Sequence, residues 1–306
     1  MCHATAPVCQ RCALDKGSVF ALDHIFDNAA VRMAECDDED DQKSYYNEAY
    51  PVVAFSRKTA DTVWEVFQQR YKMFNTVYLH KACVGRELLL QDMLRALGEL
   101  PSPACNVSSG KGLADATLDP ADFAELDDQI VTCLRKGLGE LLRKGEHTLR
   151  AEGSWEKAVR ARTLLARYMQ HTHYSRIVYR KIEDFKNEEG ACPSLAELKE
   201  RWNLPAERFA VTLRKVHHGD GARNPIDHVR FFKKTDDVND RAEPLAKPET
   251  QLPIPINLEH VSVCVYFKGP ADEREAAVAE VTSLVTSALS PAGEDEEEFQ
   301  PSQGFS

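Results

Sequence analysis

Positive charge is in short supply in this chain: 38 Lys and Arg face 49 Asp and Glu, a formal charge of −11. That balance argues against broad coating of nucleic acid, because most of such affinity comes from cations that displace phosphate counterions. No apolar run reaches the roughly 18 residues of a bilayer span, and no charged-then-apolar stretch of signal-peptide type opens the sequence, so neither membrane spanning nor secretion is indicated. The nine cysteines lack regular spacing, which favours reduced thiols over a disulfide framework. No Gly-Lys-Ser/Thr follows Gly137, Gly139 and Gly145, so these glycines do not make a phosphate-cradling loop. No internal repeat is visible. The length of 306 residues, 43% hydrophobic, suits one or two globular domains, expected in the nucleus or cytoplasm.

The charge that is present is unevenly spread. Residues Arg135 to Arg180 are rich in Lys and Arg, a stretch that suits single-stranded nucleic acid as well as nucleotide phosphates. Asp37–Asp41 and Glu294–Glu298 are acidic runs, read as a loop and a disordered tail. Cys2, His3, Cys9 and Cys12 include one Cys-x-x-Cys, but no second pair follows, so a reduced, unstructured start is preferred to a zinc knuckle. His171 with His173, and His217 with His218, have no carboxylate at metal spacing and read as surface or packing histidines. No catalytic metal site is expected.

Periodicity gives the order of elements. A short helix is expected over residues 20–34, a long one from Thr59 to Leu97, a third from Asp119-Pro120 to about Gly145, and a fourth from Ser154 to about Tyr179. Strands are expected at Phe209–Val216, Ile226–Phe232 and Val261–Phe267, with a turn at Gly219-Asp220-Gly221 and a closing helix Glu273–Leu289. The fold class is therefore α+β: a helical lobe (20–190) followed by a small β-rich lobe with a C-terminal helix (191–290), flanked by a disordered start (1–19) and an acidic disordered tail (291–306).

Two segments carry the chemistry. In Arg223-Asn224-Pro225-Ile226-Asp227-His228-Val229, Asn-Pro opens a turn and an arginine stands at its mouth, where a guanidinium can fork two phosphate oxygens. In Arg70–Lys81, Arg70, Phe74, Tyr78 and Lys81 fall at helical spacing, placing a guanidinium, two rings and an ammonium along one face. Taken together these segments resemble the C-terminal half of the SAM- and HD-domain-containing deoxynucleoside triphosphate triphosphohydrolases, over about residues 20–290.

The resemblance implies roles position by position. Arg70 and Tyr78 match substrate-pocket residues. His80 and Lys81, a helical pair Arg176 and Arg180, Arg223, and Arg57 with Lys58 match the allosteric nucleotide site. Phe74 departs from the family, which has a histidine there, and a phenyl ring cannot carry a proton. Asp23 has a counterpart, but Phe26 stands where an arginine is expected. The family's metal site needs an adjacent His-Asp pair, and none of the ten histidines is followed by Asp. The implied protein keeps the allosteric and oligomerisation half, regulatory lobe included. It binds Mg-nucleotide (dNTP or GTP) without hydrolysing it unless an HD-bearing subunit supplies the metal, and a homo-oligomer is the other expected assembly. Two alternatives remain open: an interaction subunit for RNA or single-stranded DNA, and a gene-model fragment of an active dGTPase or dNTPase.

Overall fold

Inward and outward alternation that runs against hydrophobicity shapes the first sheet. The computed structural model describes residues 22–35, 49–98, 100, 113–124, 126, 130–186, 190–237, 240–245 and 252–286. The expected disordered start, the acidic loop, the tail, and Cys2, His3, Cys9 and Cys12 lie outside them. Helix α1 (Leu22–Phe26) ends where the Asn28 side chain donates to the His24 carbonyl. The chain then enters strand β1 (Ala29–Ala34) instead of continuing the helix expected to residue 34. β1 pairs antiparallel with β2 (Tyr50–Ser56), in the register Val31 opposite Val53. Arg32 and Ala34 are buried while Val31, Met33 and Val53 are exposed. Arg32 is accommodated inside because its guanidinium lies 4.8 Å from the Phe232 ring centre and donates to the Asp237 carbonyl.

The long helix expected over Thr59–Leu97 is divided. A 3-10 turn, Arg57–Thr59, leads into α2 (Ala60–Met73), which widens to a π-turn at Phe74–Tyr78, and α3 (Lys81–Gly98) starts afresh. The Leu79 N–H reaches the Phe74 carbonyl at 2.9 Å, the i→i−5 bond of a π-turn. Thr76 donates its hydroxyl to the Lys72 carbonyl, and such back-bonding by Thr bends helices.

Further along, α4 (Leu113–Ala116) and α5 (Pro120–Phe123) are short. Asp119 caps α5 by accepting from the Ala121 N–H at 2.9 Å, with Pro120 in the first turn as expected. The helix does not run on to Gly145; α6 spans Ile130–Leu142 and α7 Glu146–Ala151. Helix α8 (Trp155–Met169) stops at His171, whose φ of 59° is left-handed. The residues expected to complete that helix form strand β3 (Ser175–Lys181), where β-branched Ile177 and Val178 favour extension. Helix α9 (Leu195–Trp202) opens with a capping box in which Ser194 and Glu197 satisfy each other's backbone N–H groups. Strand β4 (Phe209–His217), strand β6 (Glu259–Phe267) and helix α10 (Arg274–Thr286) fall close to the expected positions. The strand expected at Ile226–Phe232 shrinks to β5 (Phe231–Phe232), parallel to β2. Pro225–His228 forms a 3-10 turn because Pro225 fixes φ and the Asn224 side chain accepts from the Ile226 N–H.

The fold is thus α+β, and the described residues form two three-stranded sheets ordered β1-β2-β5 and β3-β6-β4. The chain divides into two compact units: residues up to His80 with Arg214–Ser262, and Lys81–Leu213 with the residues from Val263. The first unit packs Ile25, Val63, Trp64, Ile226, Phe231 and Leu258 together. In the second, Leu89, Met93 and Leu97 of α3 meet Leu138 of α6 and Ala161 and Leu165 of α8, a set of i, i+4 stripes facing one core.

Helix α3 approaches the residue before β3 through Gly85, where an added Cβ would lie 2.3 Å from the Tyr174 carbonyl oxygen. Backbone cannot yield as a side-chain tip can. Gly85→Ala is expected to destabilise the chain by about 1–3 kcal/mol, the usual penalty of overpacking. A urea denaturation midpoint equal to that of the wild type would contradict this close approach.

Candidate functional site

The expected nucleotide-binding residues fall in both units, and each unit is described in turn. In the first, the turn after β4 is shaped by glycines with positive φ, Gly219 at 150° and Gly221 at 59°. The His217 ring Nδ1 accepts from the N–H groups of both, at 3.2 and 3.1 Å, so the proton of the neutral ring sits on Nε2. Arg223 follows with its guanidinium forked onto Asp220: Nη2 donates to Oδ1 at 3.1 Å and Nε lies 3.0 Å from Oδ2. His228 Nε2 approaches the same Oδ2 at 3.1 Å.

The forked recognition expected of Arg223 therefore exists, but its present partner is the carboxylate of Asp220. Sequence reasoning missed that partner, although an acid three residues before the arginine, inside a Gly-Asp-Gly turn, is a visible signal. Because the Arg223 side chain is 70% exposed, the pair is worth only about 0–1 kcal/mol.

Arg70, Phe74 and Tyr78 come together as a line: the guanidinium carbon of Arg70 lies 4.3 Å from the Phe74 ring centre, and the rings of Phe74 and Tyr78 are 5.1 Å apart. Arg70 also donates to the His217 carbonyl at 3.1 Å, and Arg214 holds the π-turn through the Asn75 carbonyl at 2.7 Å. The expectation that Lys81 extends this line along one helix face is corrected, since the helix breaks at Leu79-His80 and Lys81 opens α3. Arg57 sits in the 3-10 turn 3.6 Å from Glu243, and Lys58 beside it is exposed, as is His80.

In the second unit, Lys81 is the first residue of the 18-residue helix α3. A cation there opposes the helix dipole, whereas a bound anion would be stabilised by it. Arg176 and Arg180 lie on strand β3, which corrects the helical pair. Four residues of strand keep them on one face but separate them by about 13 Å rather than one helical turn. Arg176 stacks 4.6 Å from the ring centre of Tyr179. Arg180 borders a crevice of about 30 Å³ beside Val285 of α10, room for a water and not for a nucleotide.

Among the described residues no group of three or more His, Cys, Asp and Glu is placed to hold a metal ion. With no His-Asp pair in the sequence, the described residues do not fit the metal that the family resemblance implies. No helix among the described residues is long and apolar enough to cross a membrane. No protein-family model matches the chain, and a search of curated proteins finds no match.

Proposed function

We propose that this protein binds deoxynucleoside or guanosine triphosphates as a regulatory module without hydrolysing them. The observation that carries the reading is Arg223, a forked, largely exposed guanidinium at an Asn-Pro turn whose present carboxylate partner is held weakly enough to exchange for phosphate. Exposed Lys58 of the same unit adds a cation of the kind a triphosphate requires, and Lys81 at the start of α3 gives the second unit one of its own. Arg57 and His80 of the first unit, and separately Arg176 and Arg180 of the second, are nucleotide contacts on this reading, and Arg70 and Tyr78 are remnants of a substrate pocket. Hydrolysis would need a metal from an HD-bearing partner subunit, and self-association is the other assembly that suits such a module, in the nucleus or cytoplasm.

The test is thermal unfolding of the purified chain with Mg²⁺ and dATP, dGTP or GTP. A ligand at 100 times its Kd adds about 2.7 kcal/mol to the folded state, so a rise in Tm without triphosphate release is the expected result. Arg176→Ala with Arg180→Ala should remove the rise, and an unchanged affinity in that double variant would reject their role in nucleotide binding. No rise with any nucleotide would reject the reading itself.

A further inference from the structure

A cleft of about 550 Å³ in the second unit, within the size range of binding sites, is not used by the reading above. It is lined by Phe209, Ala210, Val211, Thr212 and Leu213 of β4, by one face of α3 and by α9. Side chains of a strand alternate between faces, so a face alone would contribute every second residue. Five in succession mean that the cleft meets the edge of the strand. β4 is indeed a terminal strand of its sheet, with β6 beside it and no described strand beyond, and the open side of an edge strand is a template for pairing.

The walls specify what could pair there. Leu88 of α3, Leu195 of α9 and Leu204 give apolar contact. Asp92, whose side chain is 11% exposed, is neutralised by Lys268, 2.7 Å away and 15% exposed. Arg95, 72% exposed and 3.4 Å from Asp92, adds positive charge. Lys199 of α9 is exposed and completes a lining of three cations to one carboxylate. The Phe209 N–H already donates to the Pro205 carbonyl at 2.9 Å, so the open edge is Ala210 to Leu213, about 13 Å, enough for a strand of about that length.

We propose that this cleft binds an acidic peptide segment in extended conformation, which adds a strand to β4 and alternates acidic side chains toward Arg95 and Lys199 with apolar ones toward the leucines. Main-chain hydrogen bonds give such complexes their affinity, and pockets for alternate side chains give their specificity.

The test uses the full chain and a fluorescein-labelled, acetylated and amidated Glu-Val-Glu-Leu-Glu peptide, read by fluorescence anisotropy. Saturable binding is expected, weakened at least about tenfold, or ~1.4 kcal/mol, by Lys199→Glu alone and further with Arg95→Glu. Both sites are exposed, and circular dichroism with Tm checks that each variant folds. Two further peptides carry N-methyl groups on alternate backbone nitrogens, and at least one should lose a similar factor. The proposal is overturned by absence of saturable binding, by equal affinity for Lys199→Glu, or by equal affinity for both methylated peptides, the last meaning attraction of charge without strand addition.

Discussion

Asp92→Ala is expected to cost about 3–5 kcal/mol of unfolding free energy, the range seen when one partner of a buried ion pair is removed. The carboxylate gathers three groups: Lys268 at 2.7 Å, the Tyr174 hydroxyl, which donates at 3.0 Å, and Arg95 at 3.4 Å. Arg167 lies 5.1 Å from the centre of the Tyr174 ring and donates to the Lys268 carbonyl. Without Asp92 this corner would hold cations with no carboxylate among them. Urea unfolding measures the loss, and Asp92→Leu with Lys268→Met, which removes both charges, should recover most of it. A single variant as stable as the wild type would show that the pair is solvated.

The same network sets an alkaline limit. Burial, then the charge of Asp92 and the hydrogen bond to it, push the Tyr174 hydroxyl well above the usual tyrosine value of about 10. A folded-state value above the unfolded one contributes stability that is complete below about pH 10 and is lost as pH rises through the folded value. Tyr174→Phe should flatten that alkaline decline.

The second large effect is Trp64→Ala, expected to cost about 3–5 kcal/mol. Trp64 is 1% exposed and stacks on His218 at 5.4 Å, and Tyr71 stacks on the same imidazole at 4.5 Å and 7°. His218 is buried, and its Nδ1 donates to the Leu258 carbonyl at 3.1 Å. Loss of the indole leaves a void against Ile25, Val63 and Ile226 and removes one ring of the stack. Faster hydrogen exchange at the Ala54 and Phe231 amides would report it, and unchanged exchange would refute it.

Much of the fold is legible in the sequence where pattern and packing agree. β4, β6, α8 and α10 announce themselves by period, and Asp119-Pro120 by its capping chemistry. The misses have physical causes. β1 turns Arg32 inward and Val31 and Met33 outward, the reverse of what hydrophobicity suggests, so its six residues look like the end of a helix. α8 ends on a left-handed histidine instead of a glycine or proline, so the helix seems to run into β3. The break at Leu79-His80 lies in an apolar, periodic stretch and is set by a π-turn that Asn75 and Thr76 anchor through their own hydrogen bonds. α9 carried a readable Ser-x-x-Glu signal. Among the site residues the cations themselves were legible; of their partners, Asp220 had a local signal three residues before Arg223, whereas Asp92 beside Lys268 and Tyr174 is a matter of spatial neighbourhood.

Interleaving of the two units in the chain has a consequence for synthesis. Trp64 leaves the ribosome long before Ile226, Phe231 and Leu258, the residues it is buried with. At about 5–20 residues per second, that wait is roughly 10–40 s. Throughout it an indole, Val63 and the hydrophobic side of α2 have no permanent cover, so the nascent chain, more than the finished protein, is where chaperones would meet this sequence.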